Sequence, residues 1–165
     1  MRHDDLTGVL ARRALLQQGD RLLERYQRES TGLAVMMVDV DHFKQVNDQH
    51  GHGAGDRLLV SIAQTMARAL RPDDVLGRMG GEEFAAVLPG VSPTEAQAIA
   101  ERVRSAVERQ ALDATQGGPQ RATVSIGLVH SATLGAEADM DTLLLAADTA
   151  LYRAKAEGRN RVMVG

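Results

Sequence analysis

Six consecutive apolar residues, Leu33-Ala34-Val35-Met36-Met37-Val38, constrain this chain more than any other stretch. Side chains alternate between the two faces of a strand, so an unbroken apolar run predicts a strand covered on both sides. That places Leu33 to Val38 at the centre of a sheet with layers packed on each face. The run stops at Asp39-Val40-Asp41. Carboxylates at i and i+2 share one face, so a buried strand here delivers two of them to one point at its end.

A second constraint lies at Arg78-Met79-Gly80-Gly81-Glu82-Glu83-Phe84. Val75 and Leu76 precede the glycines and Phe84 to Leu88 follow them. Two glycines between two short apolar runs predict a hairpin with Gly80 and Gly81 at both central turn positions, where positive φ is needed. Missing Cβ atoms also let a charged ligand approach the backbone. Glu82 and Glu83 follow at once, and hard carboxylate oxygens suit a divalent cation. The competing reading is an exposed hairpin tip with ordinary surface glutamates.

The remaining elements follow from periodicity. Leu10, Ala14, Leu15, Leu22 and Tyr26 mark a helix among arginines. His42 to Asp48 predicts a short helical turn, and Gln49 to Gly55 a glycine-rich loop. A helix is then expected from about Asp56, with Leu59, Ile62, Ala63, Met66 and Leu70 on its apolar face, stopped by Arg71-Pro72-Asp73-Asp74. Ser92-Pro93-Thr94-Glu95 carries an N-cap, a first-turn proline and a capping-box glutamate. The helix it opens buries Ile99, Ala100, Val103 and Val107. Gln116 to Pro119 is a loop, and the alternation from Arg121 to Val129 is a strand. A last helix begins at Asp139 or Asp141, Gly158 caps it, and Arg161 to Val164 forms a closing strand. Strands interleaved with helices, with one central hairpin, give a single α+β domain across 1–165.

Composition excludes several classes. A formal net charge of -3 lacks the broad basic surface that nucleic-acid binding uses. Tyr26, Phe43, Phe84 and Tyr152 are too few for a base-stacking platform. Cysteine is absent, so neither disulfides nor thiolate metal sites are available, which fits the cytoplasm. No apolar run is long enough to span a bilayer, no signal peptide is visible at Met1 to Asp5, and no membrane contact is expected.

Six separated motifs resemble the GGDEF family of diguanylate cyclases over Asp4 to Val162. They are Asp4-x-Leu6-Thr7, Asp39-Val40-Asp41-His42-Phe43-Lys44, Asn47-Asp48, Gly51-His52-x-x-Gly55-Asp56, Arg78-x-Gly80-Gly81-Glu82-Glu83-Phe84 and Ala154-Lys155-x-x-Gly158-Arg159-Asn160. The signature is the Glu variant, which active members of the family also use. The resemblance implies a central, mostly antiparallel sheet flanked by helices, similar to the palm of polymerases and to adenylyl cyclases. It also implies condensation of two GTP into cyclic di-GMP and two pyrophosphates, with Mg²⁺ or Mn²⁺. One departure is local: where the family often carries Asn-Arg after the first motif, this chain has Ala11-Arg12. No sensor or receiver domain accompanies the motifs, so the domain is expected either as an excised catalytic unit, within a larger membrane-bound or receiver-linked protein, or under partner control.

Chemistry agrees with the resemblance. Asp39 at a strand end and Glu82 on the hairpin face one another if their strands are neighbours, and two metal ions held there would deprotonate a ribose 3′-hydroxyl and stabilise the leaving pyrophosphate. The Val40 carbonyl is a further candidate ligand; Glu83 is either another ligand or the group that takes the proton. The turn at His42, Phe43 and Lys44 offers N–H groups at a helix N-terminus, which favours anions. Lys44, Lys155 and Arg159 are the candidate cations, and the resemblance assigns the triphosphate to them. Cations near a helix C-terminus would explain Lys155 and Arg159 equally well. Asp56 matches the N1–H and amino edge of guanine, and Asn47 supplies a further bond; Asp56 as a plain helix N-cap is the alternative. His50 and His52 lack a third ligand of zinc type, and His52 is assigned to the phosphate side.

Arg71-Pro72-Asp73-Asp74 matches the family's inhibitory product motif, and Arg102 falls where the family places a supporting arginine. Against this stands a helix stop made by the same residues. The product has two identical linkages, so each bound GTP must present its 3′-hydroxyl to the other's α-phosphate, which implies a homodimer. The rival functions are a silent GTP or cyclic di-GMP binding module and a nucleotidyltransferase with another product.

Overall fold

A computed structural model describes residues 2–29, 31–135 and 137–165. The elements run β1 Leu10–Ala11, α1 Arg12–Arg28, β2 Leu33–Val40, α2 Phe43–His50, α3 His52–Ala69, β3 Val75–Gly80 and β4 Glu83–Pro89. They continue with α4 Pro93–Arg109, β5 Val124–His130, α5 Ser131–Leu134, α6 Met140–Ala156 and β6 Val162–Val164. One six-stranded sheet has the order β1-β3-β4-β2-β5-β6. Its four central strands are antiparallel, while the edge strands β1 and β6 pair parallel to β3 and β5. This is the expected α+β architecture.

Every residue of β2 is buried, as the apolar run demands. Ala34, Met36, Val38 and Val40 point into a core shared with Leu59, Ile62 and Met66 of α3 and Ile99, Ala100 and Val103 of α4. Leu33, Val35 and Met37 point the other way, against Leu15 and Leu23 of α1 and Met140, Leu143, Ala147 and Leu151 of α6. The alternation of one strand therefore divides the helices into two layers. Asp39 continues the second series and emerges on the α6 side.

Ser92 accepts from the Glu95 N–H while the Glu95 side chain accepts from Ser92, so the capping box forms as expected. Asp139 is the N-cap of α6, and Gly158 follows its C-cap with φ +124°.

The structure corrects four readings. The two turn residues of the hairpin are Gly81 and Glu82, with Gly80 paired to Glu83 across a register shift. Only Gly81, at φ +49°, needs the left-handed region in that two-residue turn, because β3 takes Gly80 into its last, irregular pair. No glycine-rich loop spans Gln49 to Gly55: α2 runs to His50, α3 starts at His52, and Gly51 alone separates them. Asp56 therefore lies inside α3 and is not its N-cap. Buried Ala54 and Gly55 pack the first turn of α3 down, which outweighs glycine's low helix propensity. Leu10 belongs to β1, and α1 starts two residues later. Finally, β5 begins at Val124 and is buried on both faces, because α6 covers the side that alternation left polar.

Candidate active site

The end of β2 and the hairpin before β4 place Asp39, Glu82 and Glu83 at one end of the sheet, although among the described residues no three acidic or histidine side chains stand close enough to enclose a metal ion as they are. Asp39 is the cross-strand partner of Glu83, so both side chains share the α6 face. The Val40 N–H donates to the Glu82 carbonyl at 3.3 Å. In an extended strand the N–H and C=O of one residue point to the same side. The Val40 carbonyl thus faces the hairpin as well. Burial raises the Asp39 carboxyl above its usual range, and the neighbouring charges of Glu82 and Asp41 add to it against the Lys155 ammonium. Burial likewise raises Glu83, followed by Asp39 and then Asp148 of α6. A cluster of mutually repelling hard oxygens fits a divalent cation: neutralising it removes the cost of gathering charge there.

Lys155 reaches this group from the last turn of α6 and pairs with Asp39. Its side chain is 35% exposed, against 9% for Asp39, so the ammonium stands at the water side of the carboxylate. Arg159 is exposed three residues after α6 ends, in the left-handed region at φ +65°. His42, Lys44 and His52 are all exposed; His42 precedes α2 with φ +58°, Lys44 is in the first turn of α2, and His52 opens α3. A Cβ built on Gly80 or Gly81 meets nothing within 4 Å, so the hairpin surface is open to a ligand.

Asn47 of α2 packs on Gly55 of α3, the residue that precedes Asp56. A Cβ on Gly55 would sit 1.9 Å from the Asn47 Oδ1 and 3.2 Å from the Phe43 Cζ, so glycine makes the space for Asn47. That Oδ1 is buried and has no hydrogen-bond partner. A buried acceptor left unpaired costs about 1–3 kcal/mol, which a donor on a ligand would recover. Asp56 lines a shallow cavity of about 250 Å³ with Leu6, Val60 and Gln64. A separate cavity of about 160 Å³ lies between Arg57 and Ser61 of α3 and the loop Asp113–Pro119; none of the three carboxylates lines it.

At the other end of α3, the Asp74 side chain is fully buried and spent on Arg71. One oxygen accepts from the Arg71 N–H at 2.7 Å, the other from its Nη2 at 2.7 Å. The same Nη2 also donates to the Pro89 carbonyl at 2.7 Å. Arg71 itself is 32% exposed. Arg102 of α4 donates from Nε to the Ala69 carbonyl at 2.6 Å, which sets it beside Arg71 at the end of α3. The helix stop is real, and it presents one arginine to solvent next to another.

Two parts of the site escaped the sequence reading. Asp4 accepts from the Thr7 N–H and hydroxyl and from Arg78 Nη1, whose Nε donates to the Gly81 carbonyl at 2.9 Å. The N-terminal turn is thereby tied to the hairpin. The motif pair carrying Asp4 and Arg78 was visible, but nothing in the spacing says that they touch. Asp41 was expected beside Asp39, yet its carboxylate is turned to β5 and to Asn160.

The geometry agrees with what comparison with known proteins finds. The family described as Diguanylate cyclase, GGDEF domain, matches residues 1–161. Diguanylate cyclase DosC of Escherichia coli strain K12 is 40% identical over 159 residues, which are 96% of this chain and 34% of DosC. Among solved structures, the diguanylate cyclase SiaD of Pseudomonas aeruginosa, in complex with its activator SiaC, superposes with TM-score 0.91 at 38% identity, covering 99% of this chain and 61% of SiaD. The GGDEF domain of DgcB from Caulobacter crescentus, in complex with c-di-GMP, gives TM-score 0.91 at 30% identity and 99% and 92% coverage. The chain spans about a third of the length of the curated relatives it matches. With the sheet order, the hairpin between β3 and β4 and nearly the whole chain accounted for, this protein belongs to the GGDEF family of diguanylate cyclase domains.

Proposed function

We propose that this domain condenses two GTP into cyclic di-GMP and two pyrophosphates. The observation that carries the reading is the convergence of Asp39, Glu82 and Glu83 at one end of the sheet, with Lys155 on the same group. Asp39, Glu82, Glu83 and the Val40 carbonyl would hold Mg²⁺ or Mn²⁺, which would supply Lewis-acid activation of a ribose 3′-hydroxyl and charge neutralisation of the leaving pyrophosphate. Asp56 and the unpaired Asn47 amide bind the guanine edge, with Phe43 packed beside Gly55. His42, Phe43 and Lys44 at the start of α2, His52 at the start of α3, and the open surface of Gly80 and Gly81 line the path of the triphosphate. Lys155 and Arg159 hold its charge. Lys155 exchanges Asp39 for phosphate oxygens when nucleotide arrives, which its partly exposed position permits. Glu83, raised by burial and by Asp39, takes the 3′-hydroxyl proton or joins the ligand set.

Each site of this kind holds one GTP, and ring closure needs two such nucleotides head to tail. Catalysis therefore proceeds in a two-fold pair of domains. Specific activity should fall on dilution of the isolated domain, tracking the monomer fraction measured by light scattering. Undiminished specific activity in a sample that stays monomeric contradicts the paired mechanism.

Product binds at Arg71 and Arg102 and restrains the enzyme. Asp74 holds the Arg71 guanidinium against the Pro89 carbonyl at the end of β4, so occupation of this site is felt through the strand that follows the hairpin. Asp74 meets guanine's donors directly only by giving up bonds to Arg71. Arg71→Ala should remove a charge-assisted contact worth about 1.5–3 kcal/mol and weaken inhibition by added cyclic di-GMP about tenfold or more. The initial rate on GTP should be largely retained. An unchanged inhibition curve would reduce Arg71 and Asp74 to a helix stop.

A further inference from the structure

We propose that Asp41 is a positioning residue for the nucleotide's phosphates: it locks the turn after α6 and thereby sets the directions of Lys155 and Arg159. The proposal rests on the cyclase reading above, which assigns the triphosphate to those two cations.

Three successive residues after α6 have positive φ: Gly158 at +124°, Arg159 at +65° and Asn160 at +47°. Glycine adopts this region freely and asparagine tolerates it, but arginine is strained there. Two in a row persist only where the surroundings over-determine them. Here they do. The Asn160 N–H donates to Asp41 Oδ2 at 3.0 Å, and the Arg159 N–H donates to the Ala154 carbonyl at 2.9 Å. The Asn160 amide is gripped on both sides by α4, its Oδ1 accepting from Arg104 at 2.8 Å and its Nδ2 donating to Glu108.

Asp41 is the anchor of this arrangement. It is 6% exposed and accepts from the Thr123 hydroxyl at 2.7 Å and the Ser125 hydroxyl at 2.6 Å as well as from Asn160. All three neighbours are donors, so the site calls for a group that only accepts. An ionised carboxylate does this; an amide would turn an NH₂ toward a donor. Although the Asp41 carboxylate is turned away from Asp39, its charge still adds to the rise of the Asp39 carboxyl. Among the described residues, the hydrogen bonds of the Asp41 side chain go to Thr123, Ser125 and Asn160 and none to the hairpin. What its position secures is the turn, and the turn aims the exposed Arg159 while finishing the helix that carries Lys155.

The test uses 3′-deoxy-GTP, which lacks the attacking hydroxyl, and guanosine, which lacks phosphates. Both affinities are measured by calorimetry with Mg²⁺ present. In the parent, 3′-deoxy-GTP should bind much more tightly than guanosine. Asp41→Asn should weaken 3′-deoxy-GTP about tenfold and leave guanosine within about twofold. In an Arg159→Ala background the same change should cost clearly less than in the parent, because part of its effect runs through Arg159 and only the part through Lys155 remains. Equal weakening of both ligands, or full additivity with Arg159→Ala, overturns the positioning role and leaves the cyclase reading standing. A parent that binds the two ligands equally overturns the phosphate assignment itself. Should Asp41→Asn fail to fold, Thr123→Val removes a donor from the same carboxylate oxygen and carries the same test: about threefold loss for 3′-deoxy-GTP alone supports the role, and no change or equal loss overturns it.

Discussion

Asp39→Asn should reduce cyclic di-GMP formation at least about a thousandfold while the domain stays folded. Asp39 stands opposite Glu83 and feels the charge of Glu82, so it supplies a negative oxygen to the proposed cation site. Losing a charged ligand weakens the cation and with it the activation of the 3′-hydroxyl, a transition-state loss of several kcal/mol at about 1.4 kcal/mol per tenfold. The stability effect should be small, and its sign follows from the raised carboxyl. A folded-state pKa above the unfolded one means that the contribution of Asp39 to stability is lost as pH rises through the folded value. At neutral pH the charge is therefore not a net stabiliser, and its partner Lys155 is exposed enough to return to water. Glu82→Gln should behave alike. Turnover near the parental level in either variant, at saturating Mg²⁺, contradicts the ligand assignment, and melting curves show whether the fold was kept.

Gly127→Ala should produce the largest loss of stability from a single methyl group. Gly127 lies opposite Met37 on the α6 side of the sheet. A Cβ there would sit 2.0 Å from the Ala147 carbonyl oxygen and 2.3 Å from the Leu151 nitrogen. Both are backbone atoms of α6, so no rotamer relieves the clash and the helix must back away. Overpacking of this kind costs about 3 kcal/mol or more. For a domain of this size that is a fall of roughly 6–12 °C in the melting temperature. The helix also carries Lys155, so GTP affinity should drop even at temperatures where the variant remains folded. A melting temperature within 2 °C of the parent would show that α6 does not pack on β5 as closely as the structure has it.

The two halves of this account were legible to different degrees. β2 was legible because a strand covered on both faces has no polar alternation to hide it, and the capping box fixed the start of α4 to the residue. The start of α3 was misread because glycine is a poor helix former, and the burial that overrides it at Gly55 is a tertiary fact. The hairpin was found but shifted by one residue, since a register irregularity before Glu83 has no signature in the local sequence. Within the site, Asp39, Val40, Glu82 and Glu83 were found together because two adjacent strands end there. The pairing of Asp39 with Lys155 spans 116 residues, and the burial of Asp41 depends on Thr123 and Ser125 arriving from one distant segment and Asn160 from another. Contacts of that range leave no periodicity to read. The N-cap reading of Asp56 fails because α3 starts four residues earlier, at His52, a start that only tertiary packing dictates.

The central claim is that the carboxylates at the ends of β2 and β4 join two guanine nucleotides. Incubation of the purified domain with GTP and Mg²⁺, followed by mass spectrometry of the nucleotide products and measurement of pyrophosphate, tests it most directly. The account predicts cyclic di-GMP, with two pyrophosphates released for each molecule formed, and none from Asp39→Asn. Recovery of unchanged GTP at high protein concentration, or of a linear or mononucleotide product, would contradict it.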